Sequence, residues 1–357
     1  MINRRLLYED FNYLICSSFS RFSTKKKIAI SYGGAFSGIK GGPQVKIGLL
    51  QKKFPEHRFF FNLVYLVSGA LYLNKRTIDF LSDKKIPIVL NQNGVGYPAW
   101  TKDWETINKR MSHAHAAADH IFYQSEFCKR NAEKYLGTTN GQSEILYNGV
   151  DTDFFKPNIQ ENQRKESFKL LMTGHMRQSS IGVLKRTIQA ISIVNKRGIC
   201  VTLQVAGFIP DDIKTVIYSF IDDMNVRPFI DLTGPYTRLE APTLLGSADG
   251  FVSLKYNDPC PNSILEALSC GLPVLYSKSG GTPELVGEKS GIGLNVPESY
   301  EDFFYPEPSD IADGILNLFE RKESFSVEAR NRAVQMFSLT NWLHRHEKIF
   351  MKLLQEK

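Results

Sequence analysis

The chain has 357 residues, which at about 150 residues per domain argues for two domains. Hydrophobic residues make up 42% and charged ones 23%, so a sizeable core can form; a disordered chain, a collagen repeat and a small disulfide scaffold are excluded. Lysine and arginine number 44 against 37 acidic residues, and the net +7 suits a nucleotide, a phosphate, a membrane surface or nucleic acid, or simply scattered solvated lysines.

Residues 1–27 mix basic side chains with Phe and Tyr, and Glu9 and Asp10 interrupt the place where a signal peptide would be apolar. Contact with anionic lipid and a plain surface extension are the two readings. The five cysteines (Cys16, Cys128, Cys200, Cys260 and Cys270) form no C-x-x-C pair, which speaks against structural zinc and a disulfide framework and for a reducing compartment. No run reaches the ~18 apolar residues of a membrane helix. The nearest, FFFNLVYLVSGALYL at 59–73, is broken by Asn62, Ser68 and Gly69 and reads as a buried strand with its exit.

Strands and helices then alternate, the signature of parallel sheets with helical crossovers. The first half reads strand 27–32, a glycine-rich loop GGAFSGIKGG, a helix opening at Pro43, strand 59–67, helix 75–82 and strand 86–90. Helix 104–118, strand 120–123, a helix from Ser125 and strand 144–147 complete it. The polar stretch 148–167 is a linker. The second half reads strand 170–174, helix 185–197, strand 201–207, helix 211–223, a strand at Phe229, helix 238–247, strand 250–256, helix 263–270 and strand 273–277. In the last helix Trp342, Ile349, Phe350, Leu353 and Leu354 share one face.

The segment 249–293 is richest in chemistry. Asn262 is placed to N-cap a helix carrying Glu266 in its second turn, Gly271 to end that helix, and Pro273 to stop it. Asp258 lies in the loop at the end of the preceding strand. Strand C-termini and helix N-termini share one edge of a parallel sheet, so both carboxylates can face one ligand. Gly280-Gly281-Thr282-Pro283-Glu284 joins a strand to a helix that Thr282 would cap; its glycines let a ligand approach the backbone, and helix N-terminal amides attract phosphate.

This pattern resembles the nucleotide-sugar signature of glycosyltransferase family 4, enzymes of the GT-B fold: two acidic residues separated by seven others, then Gly271-Leu272-Pro273-Val274, then the 280–284 loop. The resemblance extends over most of 27–354, and its departure is Asp258 where the family usually has Glu, which shortens the reach by one methylene. It implies two Rossmann-like α/β domains with parallel sheets facing a central cleft. Residues 1–155 would form an acceptor-side domain rejoined by helix 341–357, 156–166 a linker, and 167–340 the donor domain. By this resemblance Glu266 takes the ribose and Asp258 lies near the transferred sugar. Asn262, Ser263, Ile264, Gly280, Gly281 and Thr282 line the donor site. Arg177 and Lys185 neutralise the leaving diphosphate, with Arg186 as Lys185's competitor; a surface pair at a helix start is the alternative. Gly41 and Gly42 face the cleft near the donor phosphate and the acceptor, as donor-binding residues, and the loop 91–100 looks like an acceptor-side loop or a structural turn.

The implied activity is retaining and metal-independent, with no cofactor. It moves a sugar from a nucleotide-diphosphate sugar to a saccharide or lipid-linked acceptor, in a cytoplasmic protein with possible peripheral membrane contact. Rivals are a non-hydrolysing epimerase and an inactive protein that keeps the fold. Asp151-Thr152-Asp153 spells a metal motif but sits in the linker, and His113, His115 and His120 lack a shared helix face for zinc. There is no G-x-S-x-G elbow, no Walker A loop and no nucleic-acid module.

Overall fold

The computed structural model describes residues 27–38, 41–158 and 167–356. The lipid-facing reading of 1–26 and most of the linker, 159–166, lie outside them. The chain divides into two units: Met1–Asn148 with Thr340–Lys357, and Gly149–Leu339.

In the first unit β1 (Ile30–Ser31), β2 (Leu63–Val67), β3 (Ile88–Gln92), β4 (His120–Tyr123) and β5 (Gln142–Ile145) form one parallel sheet in that order. Residues of β2 and β3 are buried without alternation, as parallel strands covered on both faces must be. The crossover from β1 to β2 carries α1 (Gly42–Gln51). On one face, α2 (Lys75–Asp83), α3 (Trp104–Ala117) and α4 (Glu126–Leu136) enclose Val64, Leu66, Ile78, Leu90, Met111 and Ile121. Asn74 caps α2 through Thr77 N at 3.0 Å, and Ser125 caps α4 through Cys128 N at 3.1 Å. On the other face Tyr65 meets α12 (Leu339–Glu356), where its ring lies 5.9 Å from Phe350. His346 of α12 is fully buried; its Nδ1 lies 2.8 Å from the Trp342 carbonyl. A carbonyl only accepts, so Nδ1 carries the proton and Nε2 accepts from the Tyr65 hydroxyl at 2.9 Å. Burial pushes the His346 pKa down to about 3.

The second unit holds β6 (Phe168–Thr173), β7 (Val201–Ala206), β8 (Ile230–Thr233), β9 (Gly250–Ser253), β10 (Val274–Ser277) and β11 (Gly291–Leu294). All pair in parallel in the order β11-β10-β9-β6-β7-β8. The chain winds outward from β6 to β8, then returns to the middle at β9 and winds the other way. The reversal between β6 and β9 is where a doubly wound sheet opens a ligand crevice beyond its strand C-termini. Helices α5 (Ile181–Lys196), α6 (Asp211–Asp223), α7 (Ala241–Gly246), α8 (Asn262–Ser269), α9 (Thr282–Val286), α10 (Pro308–Glu320) and α11 (Lys322–Phe337) fill the crossovers and the C-terminal flank.

Several bounds differ from the sequence reading. The first strand shrinks to two residues, β5 starts two residues early, and α5 begins at Ile181 rather than Lys185. The chain also passes into the second unit earlier than expected. Val150 N donates to Phe337 O at 2.8 Å, and Arg330 Nη1 donates to the carbonyls of Thr152 and Phe155 at 3.0 Å and of Ser269 at 2.8 Å. One guanidinium therefore ties residues 152–155 to α8 and α11, which sets them with the second unit rather than with residues 1–148. The described cysteines, Cys128, Cys200, Cys260 and Cys270, are free thiols. No described helix is long and apolar enough to cross a membrane.

Candidate functional site

The loops after β6 and β9 flank the reversal of the second sheet, so the site is built there. Asn257 follows β9 with a φ of +53°, and its N donates to Ser279 Oγ at 3.0 Å. Asp258 Oδ1 accepts from Cys260 N at 3.2 Å, with Lys255 Nζ 4.0 Å from Oδ2. Burial raises the Asp258 pKa, and the Lys255 charge opposes it. The Asp258 carbonyl accepts from Gly281 N at 2.9 Å. Gly280 is held at φ +66°, and a Cβ built on it would stand 2.4 Å from that carbonyl oxygen. Only glycine allows the two loops to close on one another. The close approach thus belongs first to the protein's own backbone, and the Gly281 amide, expected to hold donor oxygens, is spent on Asp258.

Two capping expectations also fail. Pro261, not Asn262, stands before α8, with an extended backbone (φ −67°, ψ 117°) and no side-chain cap. Its ring pre-sets that φ, so the helix starts immediately after it, and Asn262, Ser263 and Ile264 become its first turn. Gly281, not Thr282, precedes α9; Thr282 is the first helical residue and is buried.

Glu266 lies on the second turn of α8, with its side chain 20% exposed and Arg238 Nη1 3.4 Å from Oε1. Burial pushes its pKa up to about 7, against the pull of Arg238. Tyr236 stands close enough that the Glu266 charge raises its pKa, after the larger effect of burial, while its bond to Thr173 at the end of β6 lowers it. The Arg238 guanidinium also lies over the Phe155 ring, 5.3 Å from its centroid. Sequence reasoning missed Arg238 and Tyr236. Both sit in the GPYTR stretch after β8 and meet Glu266 only through the sheet order.

Arg177 is exposed in the loop after β6, where its N donates to Ser180 Oγ at 3.2 Å. That loop is braced: Met176 N donates to Phe208 O at 2.9 Å, and Tyr305 OH to Ser179 O at 2.9 Å. Lys185 is directed elsewhere. Its Nζ lies 4.9 Å from the centroid of Phe220 on α6, while Arg186 pairs with Glu307 at 2.7 Å. The structure therefore groups Glu266, Arg238 and Tyr236, and groups Asp258 with Gly280 and Gly281. It sets Arg177 on a neighbouring loop and leaves Lys185 on a helix flank.

In the first unit Gly41 (φ +86°) precedes α1, whose second residue is Pro43. A Cβ on Gly42 would meet no atom within 4 Å, so space there admits a ligand or a side chain. Lys46 of α1 is buried and donates to Asn91 Oδ1 at 2.5 Å; Gln124 Nε2 shares that oxygen at 3.1 Å. This polar layer lies at the C-terminal end of β3, beneath the loop 91–100. That loop folds onto α3, with Gly96 and Asn108 exchanging bonds of 2.7 and 2.9 Å, and leaves Trp100 half exposed. The spacing of Lys46 and Leu50 would have disclosed the buried lysine as part of the inner face of α1.

Two family models match. "Glycosyltransferase Family 4" covers residues 61–154 and "Glycosyl transferases group 1" covers 167–321. The chain is 23% identical over 231 residues to the Escherichia coli UDP-Gal:alpha-D-GlcNAc-diphosphoundecaprenol alpha-1,3-galactosyltransferase, covering 60% of this chain and 55% of that protein. It is 21% identical over 267 residues to Arabidopsis thaliana sulfoquinovosyl transferase SQD2, covering 71% and 47%. The chain thus spans about half the length of these curated relatives. Among solved structures, HepE from Anabaena in complex with UDP superposes with a TM-score of 0.65 at 16% identity, over 82% of this chain and 79% of that one. A glycosyltransferase from Rickettsia africae superposes with a TM-score of 0.65 at 16% identity, over 90% and 84%. With two parallel α/β units and both halves matched, the chain belongs to the GT-B glycosyltransferases of the family 4 type.

Proposed function

We propose that this protein transfers a glycosyl group, with retention and without a metal, from a uridine diphosphate sugar to a saccharide or lipid-linked acceptor. The observation that carries the reading is Glu266: a carboxyl on α8 at the sheet reversal, largely but not wholly screened from water and faced by Arg238 and Tyr236. An ionised carboxylate with one oxygen toward Arg238 has the other to accept from ribose hydroxyls. Bound UDP in HepE, and the UDP-galactose named for the E. coli relative, support uridine as the base.

In this reading Asp258 stands at the transferred sugar, and Arg177 neutralises the charge that develops on the departing diphosphate. Lys185 joins only by leaving the Phe220 ring, so Arg177 carries the larger share. Gly41 and Gly42 border the acceptor side, where the amides of loop 91–100 suit sugar hydroxyls. The diphosphoundecaprenol acceptor named for the E. coli relative supports the lipid-linked class.

The test is a panel of UDP-sugars offered with saccharide and lipid-linked acceptors in the presence of a chelator. Released UDP and product are followed, and the anomeric configuration is read by NMR. Transfer that needs metal, an inverted product, or UDP binding that survives Glu266→Ala would each refute the corresponding part.

A further inference from the structure

The stretch between β11 and α10, NVPESYEDFFYPE at 295–307, has no regular secondary structure, yet it is fastened at both ends. Stretches of this kind are uncommon in compact units and usually serve a site. Its first part grips the chain after β9. The Tyr256 hydroxyl, buried, donates to Pro297 O and accepts from Ser299 N at 2.7 Å. Asn257 Nδ2 donates to Ser299 O at 2.8 Å. Ser299 Oγ accepts from the amides of Glu301 and Asp302 at 3.1 Å each, a turn after which the rings of Phe303 and Phe304 lie 6.1 and 6.3 Å from the Tyr256 ring.

Its last part grips the loop after β6. The Tyr305 hydroxyl donates to Ser179 O at 2.9 Å, and its ring covers the first turn of α5, where a Cβ built on Gly182 would stand 3.5 Å from it. One turn further along that helix, Arg186 pairs with Glu307 at 2.7 Å. Asp258 directly follows Asn257, and Arg177 stands two residues before Ser179. The same stretch therefore holds both loops that flank the sheet reversal. β6 and β9 pair directly within the sheet, so what the stretch adds lies beyond their ends, in those loops.

We propose that residues 295–307 are a strap that fixes the Arg177 loop and the Asp258 loop relative to one another, with Tyr305 and Tyr256 as positioning residues at its two ends. The proposal rests on the donor-site reading of Arg177 and Asp258. Charge on a departing diphosphate is stabilised by a group already in place when it develops, and a misplacement of about 1 Å forfeits much of the effect. Arg177 is exposed, so the loop that carries it is made rigid from outside, and Tyr305 is the side chain that reaches it.

Tyr305→Phe removes one hydroxyl and keeps the ring. In the full chain, hydrogen exchange followed by mass spectrometry is expected to quicken at the amides of residues 176–180 and to keep the parent's rate in β6 and β7. Tyr256→Phe should do the same at residues 257–260. With a UDP-sugar that the parent turns over, Tyr305→Phe should lower kcat about fivefold while KM changes little. In an Arg177→Ala background the same substitution should change kcat by less than about twofold, because the group being positioned is gone. A merely structural hydroxyl would instead cost the same in both backgrounds. Unchanged exchange at either loop, or an equal loss of kcat in the two backgrounds, would overturn the strap. A parent that binds no UDP in calorimetry would overturn the donor-site reading instead, and the exchange comparison would still decide whether the stretch holds the two loops.

Discussion

Replacing Glu266 by Gln removes a charge while keeping shape, and the structure assigns the change two opposite effects. The Glu266 carboxyl moves from an ordinary pKa of 4.5 to about 7 in the fold. At about 1.4 kcal/mol per pH unit, ionising it in the unliganded protein costs about 3 kcal/mol. Water reaching a side chain that is 20% exposed reduces this to about 1–3 kcal/mol. Because the folded pKa is raised, the stabilisation is full below pH 4.5 and is lost as pH climbs through about 7. Glu266→Gln escapes that loss. It should match the parent at pH 4 and exceed it at pH 9 by about 1–3 kcal/mol, or roughly 3–8 °C in melting temperature. Binding should move the other way. Losing charge-assisted bonds to ribose, about 1.5–3 kcal/mol, weakens UDP roughly 10- to 100-fold. Urea unfolding across pH and calorimetric titration with UDP measure both. A variant less stable than the parent at every pH, or one that binds UDP undiminished, would refute the placement of Glu266 as a desolvated ligand carboxylate.

Gly280→Ala drives a methyl against the Asp258 carbonyl in a left-handed backbone, so a loss of about 2–4 kcal/mol is expected in urea unfolding. A loss below about 0.5 kcal/mol would mean the two loops are not locked. Arg330→Ala leaves the carbonyls of Thr152, Phe155 and Ser269 without their shared donor and should destabilise the second unit by about 2–3 kcal/mol. An unchanged urea midpoint would exclude that tie. His346 has a lowered pKa, so its contribution is full above its usual 6.5 and is lost as pH falls toward about 3. Near-ultraviolet circular dichroism should show the first unit loosening over that range, and His346→Phe should flatten the response; an identical acid profile in the variant would refute it.

What was legible in the sequence was local. The alternation of strands and helices, the helix bearing Glu266 and the glycine loop at 280–281 follow from periodicity and turn chemistry within short windows. The caps were misplaced because two neighbouring residues competed for each boundary. Pro261 outranks Asn262 by its fixed φ, and Gly281 leaves Thr282 inside the helix. Arg238 and Tyr236 were hidden because their partner lies far along the chain on a different element, and only the strand order brings them together. Lys185 shows the reverse failure: a plausible spacing said nothing of Phe220, which attracts its ammonium across two helices.

The second unit is one unbroken stretch, Gly149–Leu339, inserted into the first, whose final helix arrives last. During synthesis the inserted unit can complete its sheet while the first still waits for Trp342, His346 and Phe350 to cover the Tyr65 face. Until α12 is made, that face of the first unit lacks the helix that packs on Tyr65 and Phe122. A nascent chain stalled before α12 would therefore carry all of the second unit's sequence together with a first unit that still lacks Trp342, His346 and Phe350.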